Sequence, residues 1–365
     1  MFIRPKKQTP LAHVRDSLGD LGYKIDPTDG KVRSLATNEL FDYDAAGDKK
    51  QASDIYQKLT NSASRAMLDY LTNELKMEAI AVPNANEPHC YVYATRQALQ
   101  KDKLVVIIVG NGNLAGIWGW NVLIKQGANE GTAIQYIRDC QAQGVGVLVL
   151  NPNMNIVAPD GVAETYNSYI GPSTLIRGSE TAEEHVGFVW SQLLRDAPMK
   201  SIAFIAYNTA GIAIVDVLKY DYKRFVEKAA CIAFIDSTHS LYELGEGALT
   251  WLKMGAQHWE TIADAGCTDM SSDRVGCSVV LVENTTEFRE MTPALCKDSV
   301  IEYVMACLDR GPVSHAAEFG SGWMAANSPL DDESDGQSED LTELDSIDVI
   351  QPTQQVQDDG YIGWE

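Results

Sequence analysis

Continuous apolar runs recur along the middle of the chain, and stretches of helix length separate them. Strands that are apolar on both faces are typical of a mostly parallel sheet covered by helices. The runs predict strands at residues 105–109, 147–150, 202–206, 232–235 and 279–282. Residues 132–143, 181–195 and 211–220 have the pattern of the covering helices. The alternation predicts an α/β fold with a doubly wound sheet.

The first 86 residues show a different pattern. Two short β-type runs flank the Asp, Pro and Gly residues at 26–30, which predicts a hairpin. Apolar side chains then recur at helical spacing from Ile55 to Leu75, which predicts one long amphipathic helix. A hairpin and one helix are too small to form an independent hydrophobic core. We therefore expect residues 1–86 to pack on the domain formed by residues 87–310.

The last segment, residues 311–365, is rich in acidic residues, Ser, Gln and Gly. It contains 13 Asp and Glu and no Lys or Arg, so it carries −13 of the net charge of −22. Such a composition cannot bury enough apolar surface to offset the entropy lost on ordering. The sequence predicts a disordered acidic tail, which either only solubilises the protein or binds a partner.

Composition and charge exclude several classes of function. Direct nucleic-acid binding needs clustered Lys and Arg, and the only basic cluster near a terminus is the short Arg4-Pro5-Lys6-Lys7. No apolar run reaches 18 residues, and the first residues lack the arrangement of a signal peptide. Seven cysteines without a CxxC pair predict reduced thiols rather than disulfides or zinc. We expect a protein of the nucleus, the cytoplasm or both, with no cofactor and no metal.

Candidate chemistry is expected at the carboxyl ends of the predicted strands, where parallel sheets place their sites. Gly110, Asn111 and Gly112 follow the first strand and offer either amides for an oxyanion hole or a tight turn. Their spacing matches neither GxGxxG nor a P-loop. In the same loop, Trp118 and Trp120 are predicted to pack the loop on the amino-terminal helix; the alternative is that they line a pocket or a partner surface.

The third strand ends in a turn of small residues before a helix, which is the setting of a G-x-S-x-G nucleophile elbow. The apex position is Asn208, flanked by Tyr207 and Thr209. An amide is not an acyl-transfer nucleophile, and Thr209 is one residue away from the apex. Alanine replaces glycine at both flanking elbow positions, Ala206 and Ala210.

A hydrolase triad also needs an acid and a base near the elbow. Asp236 follows the fourth strand, where it serves either as a triad acid or as a loop cap. His239 is too close in sequence to Asp236 to reach the elbow easily while Asp236 orients it. No histidine lies between Trp259 and Val313, where the base would follow the last strand. His185, beside two glutamates, lacks a second metal ligand at suitable spacing and is interpreted as structural.

Several of these motifs resemble one family, the Argonaute-binding (Arb) domain family. They are Gly110-Asn111-Gly112, Glu183-Glu184-His185 with Val189-Trp190, Asp236-Ser237-Thr238-His239 and, most specifically, Leu150-Asn151-Pro152-Asn153 at a strand end. The resemblance extends from about residue 21 to residue 304 and implies an α/β-hydrolase fold. The family includes a subunit of the fungal Argonaute siRNA chaperone complex, animal cotranscriptional regulators and a domain of some fungal histone deacetylases.

This chain departs from its relatives where their triad would be. Relatives read His-Gly-Ser-Gly where this chain reads Val109-Gly110-Asn111-Gly112, and Ala-His-Ser-Tyr-Gly-Gly where it reads 206–211. Their late histidine falls at or near Arg289. Asn208, Asp236 and Arg289 are thus degenerate catalytic positions. Gly110 to Gly112, Tyr207 to Thr209, Asp236 and His239 are the expected lining of any pocket that persists.

The resemblance implies a non-catalytic factor that binds proteins in Argonaute-linked, siRNA-dependent heterochromatin silencing or in cotranscriptional regulation. An Argonaute or a chromatin regulator is the expected partner. The alternatives are an esterase related to serine hydrolases and a small-molecule binder that lost its chemistry. In the tail, Ile347, Val349 and Ile350 follow a run of acids and resemble a SUMO-type contact motif, which adds a strand to a partner's sheet.

Overall fold

The computed structural model describes residues 16–26, 28–42, 49–110, 112–165, 169, 171–262 and 272–313. Asn111, residues 314–365 with the SUMO-type motif, and the basic cluster at residues 4–7 lie outside the described residues. All five predicted apolar runs form strands of one sheet.

The large sheet has eight strands: β3 (Glu78–Val82), β4 (Cys90–Ala94), β5 (Lys103–Ile108), β6 (Gly146–Val149), β10 (Ser201–Tyr207), β11 (Ala229–Ile235), β12 (Ala256–Ile262) and β13 (Ser278–Glu283). Their order across the sheet is β13-β12-β11-β10-β5-β6-β4-β3. Strand β4 alone runs against its neighbours: it pairs antiparallel with β3 and with β6, and the five other pairings are parallel. This is the arrangement of an α/β-hydrolase fold.

Helices cover both faces of the sheet because its central strands are apolar after their first residue. Along β5, Leu104, Val106 and Ile108 belong to one core, whereas Val105 and Ile107 belong to the other. The helices are α1 (Lys49–Asn73), α2 (Trp120–Lys125), α3 (Ala128–Gly131), α4 (Ile134–Ala142), α5 (Ala182–Val189), α6 (Ala210–Tyr220), α7 (Tyr222–Lys228), α8 (Glu246–Gly255), α9 (Ser272–Val275), α10 (Thr292–Leu295) and α11 (Lys297–Arg310). Helices α1 to α9 all contribute to the first core, and α1, α4 and α11 contribute to the second.

The amino-terminal hairpin is formed by β1 (Tyr23–Ile25) and β2 (Val32–Ser34), and it is followed by the long helix α1 as the sequence indicates. The next strand, β3, is an edge strand of the large sheet rather than part of a separate unit. The division of the chain at residue 86 stays a prediction.

A small three-stranded sheet lies between β6 and α5 in the chain. It consists of β7 (Ile156–Val157), β8 (Ala163–Glu164) and β9 (Thr174–Leu175), with β7 in the centre. Helix α5 continues into a π-helical turn at Trp190–Leu194. No helix of the described residues is long and apolar enough to cross a membrane.

Candidate functional site

Asn208 lies in the turn between β10 and α6, as expected for the apex of an elbow. Its φ of 54° is left-handed, a conformation that Asn tolerates better than most residues. The backbone N–H of Asn208 donates to the carbonyl of Ile235 at the end of β11, at 2.9 Å. The elbow is therefore held to the neighbouring strand end by its own backbone.

The elbow leaves no space for larger residues at two glycines. A Cβ atom at Gly211 would lie 1.8 Å from the Ser237 hydroxyl oxygen. One at Gly110 would lie 2.5 Å from the Thr209 hydroxyl oxygen and 2.7 Å from the Tyr207 carbonyl oxygen. The loop after β5 thus packs directly on the elbow, as an oxyanion-hole loop would.

The asparagines that follow β6 hold this loop in place. The Asn151 side-chain oxygen accepts from the N–H of Ala115 at 3.0 Å, and Asn153 Nδ2 donates to the carbonyl of Asn113 at 2.8 Å. Asn113 Nδ2 in turn donates to the carbonyl of Trp118. The Asn-Pro-Asn motif, identified from sequence only as a family signature, is therefore a structural brace of the loop.

Trp118 is buried beside the elbow. Its ring makes edge-to-face contacts with Tyr136 on α4 and with Tyr207, at centroid distances of 5.5 and 5.6 Å. Leu71 of α1 belongs to the same core as Trp118, so the tryptophan joins the elbow to the helices on this face of the sheet. Trp120, by contrast, lines a cavity together with residues of α1.

Asp236 also has a left-handed φ, at 44°. Its carboxylate accepts hydrogen bonds from the backbone N–H and the hydroxyl of Thr261, at 2.7 and 2.9 Å. The Thr261 hydroxyl also contacts the hydroxyl of Thr292. Asp236 thus joins the ends of β11 and β12, and its hydrogen bonds go to a threonine rather than to an imidazole.

His239 is buried, and both of its ring nitrogens have partners. Nε2 lies 2.9 Å from the carbonyl oxygen of Val275, to which it donates. Nδ1 therefore accepts from the Ser237 hydroxyl, at 2.8 Å. The ring also stacks on Phe234. Burial lowers the pKa of His239, so the ring is a neutral part of the core.

His258 on β12 is likewise fully buried. Its Nε2 accepts from the backbone N–H of Ser237 at 2.9 Å, so the neutral ring carries its proton on Nδ1, 3.6 Å from a Glu260 carboxylate oxygen. Burial, followed by the nearby His239 and Arg274, lowers the pKa of His258 to about 3.

His185 on α5 is bonded through both nitrogens, which agrees with its structural interpretation. It accepts from the N–H of Asn151 at 3.2 Å and pairs with the Ser179 hydroxyl at 2.8 Å. Burial lowers its pKa to about 3. The fourth described histidine, His89, contacts the Glu87 carbonyl and the Tyr91 hydroxyl.

Arg289 occupies an exposed position in the 3-10 turn Arg289–Met291 after β13. Its carbonyl oxygen accepts from the Thr292 hydroxyl at 3.1 Å. The next residue, Glu290, packs so closely on Gly119 that a Cβ atom at Gly119 would lie 2.5 Å from the Glu290 Cβ.

Tyr207, beside the elbow apex, is held in its protonated form. Burial, with added repulsion from the carboxylates of Asp236 and Glu290, raises the pKa of the Tyr207 phenol.

The geometry retains the elbow, the loop beside it and an acid at the end of β11. The four described histidines, residues 89, 185, 239 and 258, all have partners elsewhere, and among the described residues no cluster of His, Cys, Asp and Glu could hold a metal ion. Fold and site together define an α/β-hydrolase-fold protein whose elbow carries an asparagine, Asn208, at its apex.

Comparison with known proteins gives the family. Residues 14–263 match the model of the Arb2 domain, and the chain belongs to this family. The cotranscriptional regulator ARB2A homolog of Gallus gallus is 24% identical over 350 residues, which cover 83% of each chain. The cotranscriptional regulator ARB2A of Mus musculus is 24% identical over 319 residues, which cover 74% of this chain and 76% of the mouse chain.

Among solved structures, one described as a histone deacetylase from Saccharomyces cerevisiae is 13% identical, with a TM-score of 0.46, and the match covers 68% of this chain and 97% of that chain. An esterase, E25, matches with a TM-score of 0.37 and 12% identity over 86% of this chain and 99% of that chain.

Proposed function

We propose that this chain is a non-catalytic factor that acts by binding other proteins in cotranscriptional regulation. Relatives that cover most of its length are named cotranscriptional regulators, which supports this setting. In our proposal the partner is an Argonaute or a chromatin regulator, the process is siRNA-linked heterochromatin silencing, and the place is the nucleus. The net charge of −22 argues that any link to RNA runs through the partner.

The observation that carries the proposal is the residue at the elbow apex. Acyl transfer needs a hydroxyl or thiol there, a base bonded to it and an acid that orients the base. Asn208 supplies an amide, and Asp236 is bonded to Thr261. His239, the histidine nearest to Asp236 in sequence, donates to Val275 and accepts from Ser237. Loss of a nucleophile or a base typically lowers turnover by about a million-fold.

An activity test addresses the non-catalytic part. The full-length protein is incubated with p-nitrophenyl acetate and butyrate, and with a fluorophosphonate probe, beside an active serine hydrolase. We expect no turnover above background and no label. Asn208→Ser alone should not restore activity, because the base is still missing. Covalent labelling of Thr209, or turnover that Thr209→Ala removes, would show that the chain is an enzyme.

A binding test addresses the partner. The tagged full-length chain is purified from its own cells with and without ribonuclease, and the associated proteins are identified by mass spectrometry. We expect an Argonaute or chromatin regulator in both samples. A partner that disappears after ribonuclease treatment contradicts direct protein binding. Replacing Ile347, Val349 and Ile350 by Ala in the same chain tests whether the tail contributes a SUMO-type contact.

A further inference from the structure

The large sheet ends in a strand that has a neighbour on one side only. Strand β13 pairs in parallel with β12 and is the last strand of the sheet on this side. Among the described residues, no backbone hydrogen bond joins the other side of β13 to any group. Its unpaired N–H and C=O groups therefore form an edge to which another strand can add.

The sequence of this strand lacks the residues that usually protect such an edge. Natural proteins protect exposed edge strands with Lys, Pro or a bulge. Strand β13 reads Ser-Val-Val-Leu-Val-Glu, without Lys or Pro, and its register with β12 is unbroken. Leu281, near the middle of the strand, is 40% exposed. An apolar edge strand of this kind either pairs with a partner or promotes aggregation.

One hydrogen bond shows which residues of β13 direct their backbone groups outwards. The N–H of Asn284, directly after the strand, donates to the carbonyl of Ile262 at the end of β12, at 3.4 Å. Successive residues of a strand direct their N–H and C=O groups to opposite sides. The N–H and C=O groups of Val279, Leu281 and Glu283 therefore point away from β12, where they are available to an added strand.

We propose that β13 is a homodimer interface, at which the same strand of a second copy adds in antiparallel orientation with Leu281 on the twofold axis. This axis places Val279 of each copy opposite Glu283 of the other, and Val280 opposite Val282. All three outward residues then find a hydrogen-bonding mate, and two bonds per pair give about six in total. An axis at Val280 or Val282 would leave one outward residue unpaired within the strand.

The order of side chains along β13 favours a second copy over an unrelated extended segment. With the axis at Leu281, the one charged residue of the strand, Glu283, lies opposite a valine rather than opposite a like charge. The two exposed Leu281 side chains lie side by side and cover each other. The strand is thus complementary to itself in charge and in hydrophobicity, as an isologous contact requires.

The charge of the chain predicts how the dimer responds to salt. Each copy carries a net charge of −22, so two copies repel each other, whereas the edge strand offers backbone groups and apolar side chains. Salt screens repulsion between exposed charges. We therefore expect dimerisation to strengthen as the salt concentration rises from about 50 to about 500 mM. A dimer that dissociates over this range is held by ion pairs, and its interface lies elsewhere.

Sedimentation velocity of the full-length protein over a series of micromolar concentrations measures dimerisation. We expect the wild-type protein to sediment at twice the mass of the chain. Leu281→Lys brings two cations together on the axis and should raise the dissociation constant at least about tenfold. Leu175→Lys is the matched control, because Leu175 is also exposed, at 51%, but lies on β9 of the small sheet. It should dimerise like the wild type.

A proline tests the backbone pairing separately from charge. Leu281→Pro removes an outward N–H and no bond to β12, and edge strands tolerate proline where the N–H faces solvent. This variant should therefore stay folded, as thermal unfolding will show, but sediment as a monomer. If it does not fold, Leu281→Lys decides the result alone.

The register is tested by cysteine cross-linking. Leu281→Cys places two thiols opposite each other, with Cα atoms about 5.5 Å apart, a separation that a disulfide can bridge. Val279→Cys is the control, because its two thiols would lie four residues apart along the strands, roughly 14 Å. After mild oxidation, electrophoresis without reductant should show a cross-linked dimer for Leu281→Cys only. The wild-type chain, whose described cysteines are all buried, gives the background.

A wild-type protein that stays monomeric throughout the concentration series would refute a second copy as the occupant of this edge. The same conclusion follows if Leu281→Lys weakens the dimer no more than Leu175→Lys does, or if both cysteine variants cross-link equally. None of these readouts involves turnover or a partner other than the chain itself. The dimer can therefore fail while the proposed function stands, and the reverse.

Discussion

The side-chain oxygen of Asn151 accepts a hydrogen bond from the backbone N–H of Ala115 at 3.0 Å, although the two residues are 36 positions apart. Asn151 is fully buried and its own N–H donates to His185. Through its side chain and its backbone N–H, Asn151 thus connects the end of β6 with the loop after β5 and with helix α5.

Asn151→Leu should lower the free energy of unfolding by about 2–3 kcal/mol, because the buried N–H of Ala115 loses its acceptor. Urea denaturation followed by circular dichroism measures the loss. Asn153→Ala is the control: Asn153 is only partly buried and bonds to a carbonyl, so about 1 kcal/mol is expected. Equal losses in the two variants would show that Asn151 is not the principal brace.

Gly211→Ala should destabilise the fold by about 1–3 kcal/mol, since its Cβ would overlap the Ser237 hydroxyl at 1.8 Å. Gly187→Ala, in helix α5, is the matched control: its Cβ meets nothing within 4 Å, and about 0.5–1 kcal/mol of stabilisation is expected. Both are read from urea unfolding curves. In the double variant Gly211→Ala/Ser237→Ala the loss should be smaller than the sum of the single losses; a fully additive result would place the clash elsewhere.

At the elbow apex, backbone conformation rather than side-chain chemistry should decide which residues are tolerated. Asn208→Gly should leave stability nearly unchanged, because glycine adopts a φ of 54° without strain. Asn208→Val should lose about 1–2 kcal/mol, since a β-branched residue is an outlier there. Thermal unfolding distinguishes the two variants. If the Asn208→Val protein unfolds at the same temperature as the Asn208→Gly protein, the left-handed turn is not what limits the choice of residue.

Stability should fall as the pH drops below about 6.5. Burial lowers the pKa of His185 and of His258 to about 3 in the folded protein, from an ordinary value of 6.5. Between these two values the unfolded chain binds protons that the folded chain does not, so unfolding becomes more favourable as the pH decreases. Each histidine should contribute a loss of up to about 1.4 kcal/mol per pH unit in this window.

Urea unfolding at pH 7.5, 6.5 and 5.5 measures this dependence. His185→Gln should flatten the slope below pH 6.5 even if it lowers stability overall. His258→Gln should flatten the slope in the same way, because the buried His258 ring is also neutral in the folded protein. A wild-type protein that gains stability on acidification through this window would contradict the burial of neutral rings.

The central strands were predictable because they are buried on both faces, and burial leaves a continuous apolar run. Strand β12 gave no such signal: Gln257, Glu260 and Thr261 interrupt it, since it lies next to the edge strand β13 and is only partly covered. The short strands β3 and β4 were also missed, because exposed residues interrupt their apolar runs: Glu78 and Ala79 in β3, and Tyr91 in β4.

At the site, the sequence indicated the elbow and Asp236 because both follow strands directly. It did not indicate Thr261 as the partner of Asp236, since the two residues are 25 positions apart and meet only through the pairing of β11 with β12. The tautomers of His239 and His258 depend on hydrogen bonds to Val275 and Ser237, which lie 36 and 21 positions away, and pairs so distant in sequence leave no local signal.

The close fit of Gly211 against Ser237 limits which substitutions the elbow tolerates. The contact joins the first turn of α6 to the loop after β11, and it depends on the sharp turn at residue 208 but not on which side chain that residue bears. The elbow turn thus positions helix α6 against the loop after β11, in addition to presenting the residue at its apex. A substitution at the apex is therefore compatible with this packing as long as the turn itself is kept. A chain that loses the turn also loses the contact between helix α6 and the loop after β11.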